Sequence, residues 1–220
     1  MDSLITGIPG HYPQHIALTG YARTGKDKIG EVLVGLGYTR HAFGDIIKAQ
    51  VSQAASGRDT GVTDVCRWVE ANEDGAAETV QQIRSAYSQV ASETLDPYTE
   101  VDTEKAILRP LLERWGECYY SDIFTEYFAA LPQNAVNTRL VRIKEAQEWV
   151  RRGGVLWMVL RPGKGPETPW IQARMHELIR AGVITGYVGN TEGLDALAGN
   201  VARWLSDEKK SDAEKSDAKK

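Results

Sequence analysis

Apolar residues along the chain follow two spacings. Short continuous runs read as buried strands, and runs recurring roughly every three to four positions read as helices. His15–Thr19 (HIALT) is a continuous run that stops at Gly20. Lys26–Leu36 then places Ile29, Val32, Leu33 and Leu36 on one helical face and closes at Gly37. Tyr38–Phe43 predicts a second short strand and Asp45–Ala55 a helix. Residues 62–131 hold no strand pattern but four helical ones, over 64–72, 75–92, 103–116 and 119–130. Ala135–Thr138 predicts a short strand, and Val141–Arg152 an amphipathic helix ended by Gly153-Gly154. Val155–Leu160 (VLWMVL) predicts a central strand. Pro169–Ala181, Ile184–Val188 and Thr191–Leu205 predict a helix, a last strand and a last helix. Strands apolar on both faces and separated by helices imply a parallel sheet covered by helices on each side. The fold class expected is α/β. The helical stretch at about 57–131 is then an insertion at the C-terminal edge of the sheet, where ligands bind.

The ends of the chain change this picture little. Residues 1–14 carry Gly7, Pro9, Gly10 and Pro13 and are expected to be an irregular lead-in. Ser206–Lys220 holds five lysines, five acidic residues and no large apolar residue. It cannot bury a core and is expected to be a disordered charged tail. Residues 15–205 form the expected domain, and 42% hydrophobic with 25% charged residues suits a packed core. A net charge of −4 argues against coating duplex DNA through bulk positive charge. Cys66 and Cys118 form no CxxC pair and give neither a disulfide framework nor a zinc signature. No apolar run approaches the roughly 18 residues that span a bilayer, and the N-terminus lacks the basic-then-apolar order of a signal peptide. A cytoplasmic protein without a membrane partner is expected, monomeric or homodimeric.

Gly20-Tyr21-Ala22-Arg23-Thr24-Gly25-Lys26-Asp27 fits G-x-x-x-x-G-K between a strand and a helix. Gly20 and Gly25 permit the backbone turns that aim amides at a polyphosphate. The helix N-terminus adds partial positive charge, and Lys26 sets an ammonium between the β- and γ-phosphates. Thr24 and Lys28 belong to the same nucleotide-binding segment, and Arg23 either touches phosphate or faces solvent. Asp27 stands where a Ser or Thr hydroxyl usually binds magnesium. Its carboxylate either holds the metal through water or caps the helix.

The chain resembles the bacteriophage deoxynucleoside monophosphate kinases, whose loop reads G-x-x-R-[ST]-G-K-D. Phosphomevalonate kinase carries a similar GKD loop. His41–Lys48 (HAFGDIIK) is similar to the family's F-A-D-x-L-K segment, and Leu111–Glu117 (LLERWGE) to its L-L-Q-x-W-G-T-E helix end. Asn137-Thr138-Arg139 with Lys144-Glu145-Ala146 resembles D-V-R...N-E-A. Val155–Pro162 resembles its strand ending in Arg-Pro, and Asn190–Leu194 its N-x-G-[ST]-L turn. The match runs in order over about residues 15–205. Three features depart from the family: Asn137 replaces Asp, the arginine after W-G-T-E is missing, and His176-Glu177 only partly matches H-x-S-E. The resemblance implies a P-loop NTPase fold of the nucleoside monophosphate kinase kind, with ATP and Mg2+ as cofactors. The implied reaction moves the γ-phosphate of ATP to a deoxynucleoside 5′-monophosphate, in the host cytoplasm if phage-encoded. Two alternatives stay open: a kinase of hydroxymethylated pyrimidine, as nucleotide or in DNA, and an inactive nucleotide-binding protein. A small-metabolite kinase rests on the loop alone.

Phosphoryl transfer needs several cations to converge on approaching anions. Arg139 follows a strand and would face the ligand crevice. Arg161 also follows a strand and would touch phosphate or stack on adenine. Arg109 and Arg114 either bind the acceptor phosphate or pair with Glu113 and Glu117 on a solvated face. Lys48 either binds the acceptor or pairs with Asp45. Asp45 is either catalytic, through the acceptor sugar or a metal-bound water, or a helix N-cap. Of the six tryptophans most are expected in the core. Trp115, beside Tyr119–Tyr120, is the candidate for stacking on a base.

Overall fold

The strand His15–Thr19 is buried at every position, which a sheet covered on both faces requires. In the computed structural model, which describes residues 5–6, 13–57 and 61–201, the strands are β1 (Ile5–Thr6), β2 (His15–Thr19), β3 (Thr39–Arg40), β4 (Ala135–Asn137), β5 (Val155–Leu160) and β6 (Gly186–Gly189). The helices are α1 (Lys26–Gly35), α2 (Phe43–Gly57), α3 (Gly61–Asn72), α4 (Ala77–Ala91), α5 (Asp102–Cys118), α6 (Tyr120–Ala129), α7 (Ile143–Arg151) and α8 (Pro169–Arg180). Residues 194–201 are also helical. The chain divides into two units, Met1–Ala42 with Leu131–Lys220, and Phe43–Ala130.

The first unit is α/β. Its sheet runs β1-β6-β5-β2-β4-β3. The strands β2 to β6 are parallel, and β1 adds an antiparallel edge through Ile5 opposite Val188. Alternation along β2 explains the layers. Ile16 and Leu18 pack with Ile29 and Leu33 of α1 and with Leu197 and Val201. On the opposite face His15 meets the Trp149 ring of α7 edge-on, and Thr19 Oγ1 donates to Met175 Sδ of α8. β4 lies on one side of β2 and β5 on the other, so crossovers leave β2 in both directions. The C-terminal end of β2 is therefore the point where a ligand crevice opens.

The second unit is all-helical, α2 to α6, with its own core. Val51, Val65, Val69, Ile83, Leu108, Leu111, Trp115 and Ile123 form it. It begins at Phe43 rather than near residue 57, because the Phe43 ring stacks on Tyr127 at 3.7 Å and 16°. That capture also shortens the expected strand 38–43 to Thr39–Arg40. The last strand lies two positions later than expected at its start, since Thr185 uses its hydroxyl to bond Leu156. Ile5–Thr6 pairs where an irregular lead-in was expected. The expected tail, 206–220, lies outside the described residues, as does the end of the last helix beyond 201. Among the described residues no helix is long and apolar enough to cross a membrane.

Candidate functional site

The loop from Gly20 to Gly25 joins the end of β2 to the start of α1. Gly20 has φ +126, and a Cβ there would lie 2.5 Å from the Val159 carbonyl oxygen. Gly25 has φ +107 and occupies the N-cap of α1. Only glycine meets both demands at these positions. Thr24 is buried beneath the loop. Its hydroxyl donates to the Tyr21 carbonyl at 2.9 Å, and its own carbonyl accepts from Asn190 Nδ2 at 2.9 Å. Asn190 thereby ties the loop to the end of β6.

Lys26 opens α1, and its ammonium donates to the carbonyls of Gly20 at 3.0 Å and Tyr21 at 2.5 Å. Burial pulls this ammonium below the usual lysine range. Asp27 and Glu167 pull it back up, and Arg139 pushes it down. Asp27, Glu167 and Arg139 therefore lie within electrostatic reach of Lys26. Arg139 is exposed. Its backbone N–H donates to Asn137 Oδ1 at 2.8 Å, so the buried Asn137 side chain fixes the turn that carries it. Arg161 donates to the Arg23 carbonyl at 3.1 Å. Arg23 itself has φ +58 and is exposed.

Two open cavities flank the loop. One of about 520 Å³ is lined by Tyr21, Leu160, Arg161, Lys164, Tyr187 and Thr191, among others. The other, about 370 Å³, is lined by Asp27, Glu31, Arg40 and Thr138, with Gly30, Val34 and Val136. Asp27 is not the cap of α1, since Gly25 holds that position and no side chain caps the helix. Its carboxylate is exposed toward the second cavity, which leaves it available as a hard oxygen donor. Among the described residues no group of three or more His, Cys, Asp and Glu side chains could hold a metal.

The other candidates divide by unit. Lys28 is on the outer face of α1 with its ammonium 2.9 Å from Glu31, so it is a helix-surface pair rather than a loop contact. Asp45, Lys48, Arg109, Arg114 and Trp115 belong to the helical unit. Asp45 lies in the first turn of α2, inside the helix and past its cap. Lys48 Nζ stands 5.4 Å from the Tyr98 ring centroid rather than on Asp45. Burial, then Asp45 and Asp96, raise the Tyr98 phenol above its usual range. Asp45, Lys48 and Tyr98 therefore form one partly exposed cluster. Arg109 is 4.0 Å from Glu113 on a solvated face. Arg114 is engaged by both oxygens of Glu73, one at 3.2 Å, and by Glu113. Trp115 is 4% exposed, and its Nε1 donates to Gln50 Oε1 at 3.2 Å. The ring fills the helical core against Gly61, which corrects the expectation of a base-stacking face.

Sequence reasoning missed Glu167. Its Oε1 accepts the backbone N–H of Ala22 in the loop. It precedes Thr168, the N-cap of α8, and nothing in that local pattern announces a contact with residue 22. Arg40 was also missed, for want of a motif. No protein-family model matches the chain, and no curated protein matches it.

Proposed function

We propose that the protein is a P-loop kinase that transfers the γ-phosphate of ATP to a deoxynucleoside 5′-monophosphate. The observation that carries this reading is the glycine-flanked loop leading into α1, with Gly20 and Gly25 at positive φ, Lys26 at its end and Arg139 within electrostatic reach. Two cations beside a loop that opens a helix suit a polyphosphate and little else of comparable size. The larger cavity, with Arg161, Tyr21 and Tyr187 on its walls, suits the base and sugar of the donor nucleotide.

The chemistry follows from charge. An oxygen of the acceptor monophosphate forms a bond to the γ-phosphorus as the bond to the bridging oxygen breaks, and ADP leaves with the electron pair. The acceptor is already an anion, so no strong general base is needed. Lys26 offsets charge on the β- and γ-phosphates. Arg139 offsets charge on the transferring group, where stabilisation counts most. Asp27 would hold magnesium, through water or directly, and the ion would supply positive charge to offset that of the phosphates. Lys48 is the candidate of the helical unit for the acceptor phosphate. Arg114 is a weaker candidate, because it would first have to leave Glu73.

The test is ADP formation from ATP and Mg2+ with each deoxynucleoside monophosphate, its 5-hydroxymethyl form and a hydroxymethylated oligonucleotide as separate acceptors. The matching diphosphate is the expected product, and Lys26→Ala abolishes it. Turnover with the oligonucleotide alone would move the protein to DNA modification. Lys26-dependent ATP binding without turnover on any acceptor would leave a binding protein.

A further inference from the structure

The connection between β5 and α8, residues 161–168, is fastened to the phosphate loop twice. Arg161 donates to the Arg23 carbonyl, and Glu167 accepts the Ala22 amide. The second contact is chemically pointed. A carboxylate oxygen bonds a loop amide as a phosphate oxygen would, and its charge reaches Lys26, the phosphate-binding ammonium. Between the two fastenings the chain has room to move. Gly163 takes φ +71, and a Cβ at Gly163 or Gly165 would meet nothing within 4 Å. Lys164 and Glu167 are exposed. Releasing Glu167 breaks one exposed contact while Arg161 stays on the Arg23 carbonyl, and it disturbs no packed core because residues 162–168 are exposed.

We propose that Glu167 is an internal competitor for the phosphate loop, which a polyphosphate displaces and a single phosphate does not. This rests on reading residues 20–27 as a polyphosphate cradle. The selectivity follows from what each anion can exchange. An isolated phosphate replaces the carboxylate at one amide and gains few further contacts. A triphosphate replaces it and also engages the neighbouring amides, Lys26 and Arg139. Glu167 therefore sets a threshold of ligand charge and length at the loop, and its release frees residues 162–168 when nucleotide enters.

The experiment compares wild type, Glu167→Gln and Lys26→Ala by calorimetric titration with ATP, ADP and inorganic phosphate. Hydrogen exchange at the Ala22 amide is followed without nucleotide. Glu167 is exposed, so the isosteric glutamine leaves the core intact. The expected result is ATP binding roughly five- to tenfold tighter in Glu167→Gln, as removal of a charged competitor predicts. Phosphate binding becomes measurable, and in a further variant, Glu167→Ala, which removes the acceptor oxygen, Ala22 exchanges faster than in wild type. Lys26-dependent ATP binding that is no tighter in Glu167→Gln would overturn the competitor and leave the cradle standing. Absence of ATP binding in wild type and Glu167→Gln alike would overturn both. Unchanged exchange at Ala22 in Glu167→Ala would remove the contact itself.

Discussion

Asn137 Oδ1 accepts the backbone N–H of Arg139 at 2.8 Å. The bond is an Asx turn at the end of β4, and it fixes the backbone that carries Arg139. Either an amide or a carboxylate oxygen can accept it. The replacement of the aspartate found in the kinases that the chain resembles therefore keeps the turn.

Asn137→Ala removes the acceptor and frees the turn. The expected loss is about tenfold or more in kcat, since small misplacement of a charged group is costly, with KM for ATP little changed. Asn137→Asp restores the rate. Steady-state kinetics on the three proteins check this, and equal loss in both variants would contradict the turn's role.

Lys26→Met separates binding from stability. Burial holds the ammonium below its ordinary pKa of 10.5. The folded state therefore disfavours the charged form, and its stability rises with pH between the folded value and 10.5. At neutral pH the charge is a cost, so Lys26→Met melts no lower than wild type. A hundredfold excess of ATP over its Kd stabilises wild type by about 2.7 kcal/mol, and this increment disappears in Lys26→Met. Thermal denaturation with and without ATP reads both effects.

Gly20→Ala introduces a Cβ 2.5 Å from the Val159 carbonyl oxygen at a φ of +126. Clash and backbone strain together cost about 3 kcal/mol or more. Gly37→Ala also meets a positive φ, +96, but in open space. It costs only about 1 kcal/mol. Urea unfolding of the two variants gives the comparison.

Glu148 anchors the end of α7. Arg151 donates to it at 2.6 Å twice and Arg152 at 2.7 Å. These hydrogen bonds hold its carboxyl down to about 2, from an ordinary 4.5. A depressed carboxyl contributes stability above the ordinary value and loses it as pH falls toward the folded one. Stability therefore declines between pH 4.5 and about 2, by about 1 kcal/mol for such a surface cluster. Glu148→Gln flattens that part of the pH profile, as followed by chemical denaturation.

Trp115→Phe and Trp115→Ala test the helical core. The phenylalanine loses the bond to Gln50 and some volume, at about 1–2 kcal/mol. The alanine leaves a cavity and costs about 3–5 kcal/mol. Acceptor KM stays unchanged in Trp115→Phe, whereas a stacking role would raise it.

The glycine-flanked loop between β2 and α1 and the parallel α/β sheet were legible because both depend on local pattern. HIALT before Gly20 and the helical face of Ile29, Val32 and Leu33 after it state the strand–loop–helix order outright. VLWMVL declares a strand buried on both faces. What escaped depends on distant partners. Phe43 reads equally well as the end of a strand, and only its stacking on Tyr127 makes it the start of the helical unit. Trp115 reads as a stacking platform until Gly61 and Gln50 close around it. Glu167 belongs to the same class, because the course of a loop decides where its carboxylate arrives.

The strand order also governs how the chain assembles as it leaves the ribosome. Among the described ladders, β2 pairs with β4 and β5, and β3 pairs with β4 alone. Both partner strands follow residue 130, so no ladder of the sheet forms within the first forty-two residues. The core of Phe43–Ala130 draws all its side chains from before residue 131, so it can close before either partner strand of β2 is made. A chain in that state exposes an apolar, strand-forming segment and is open to association along it.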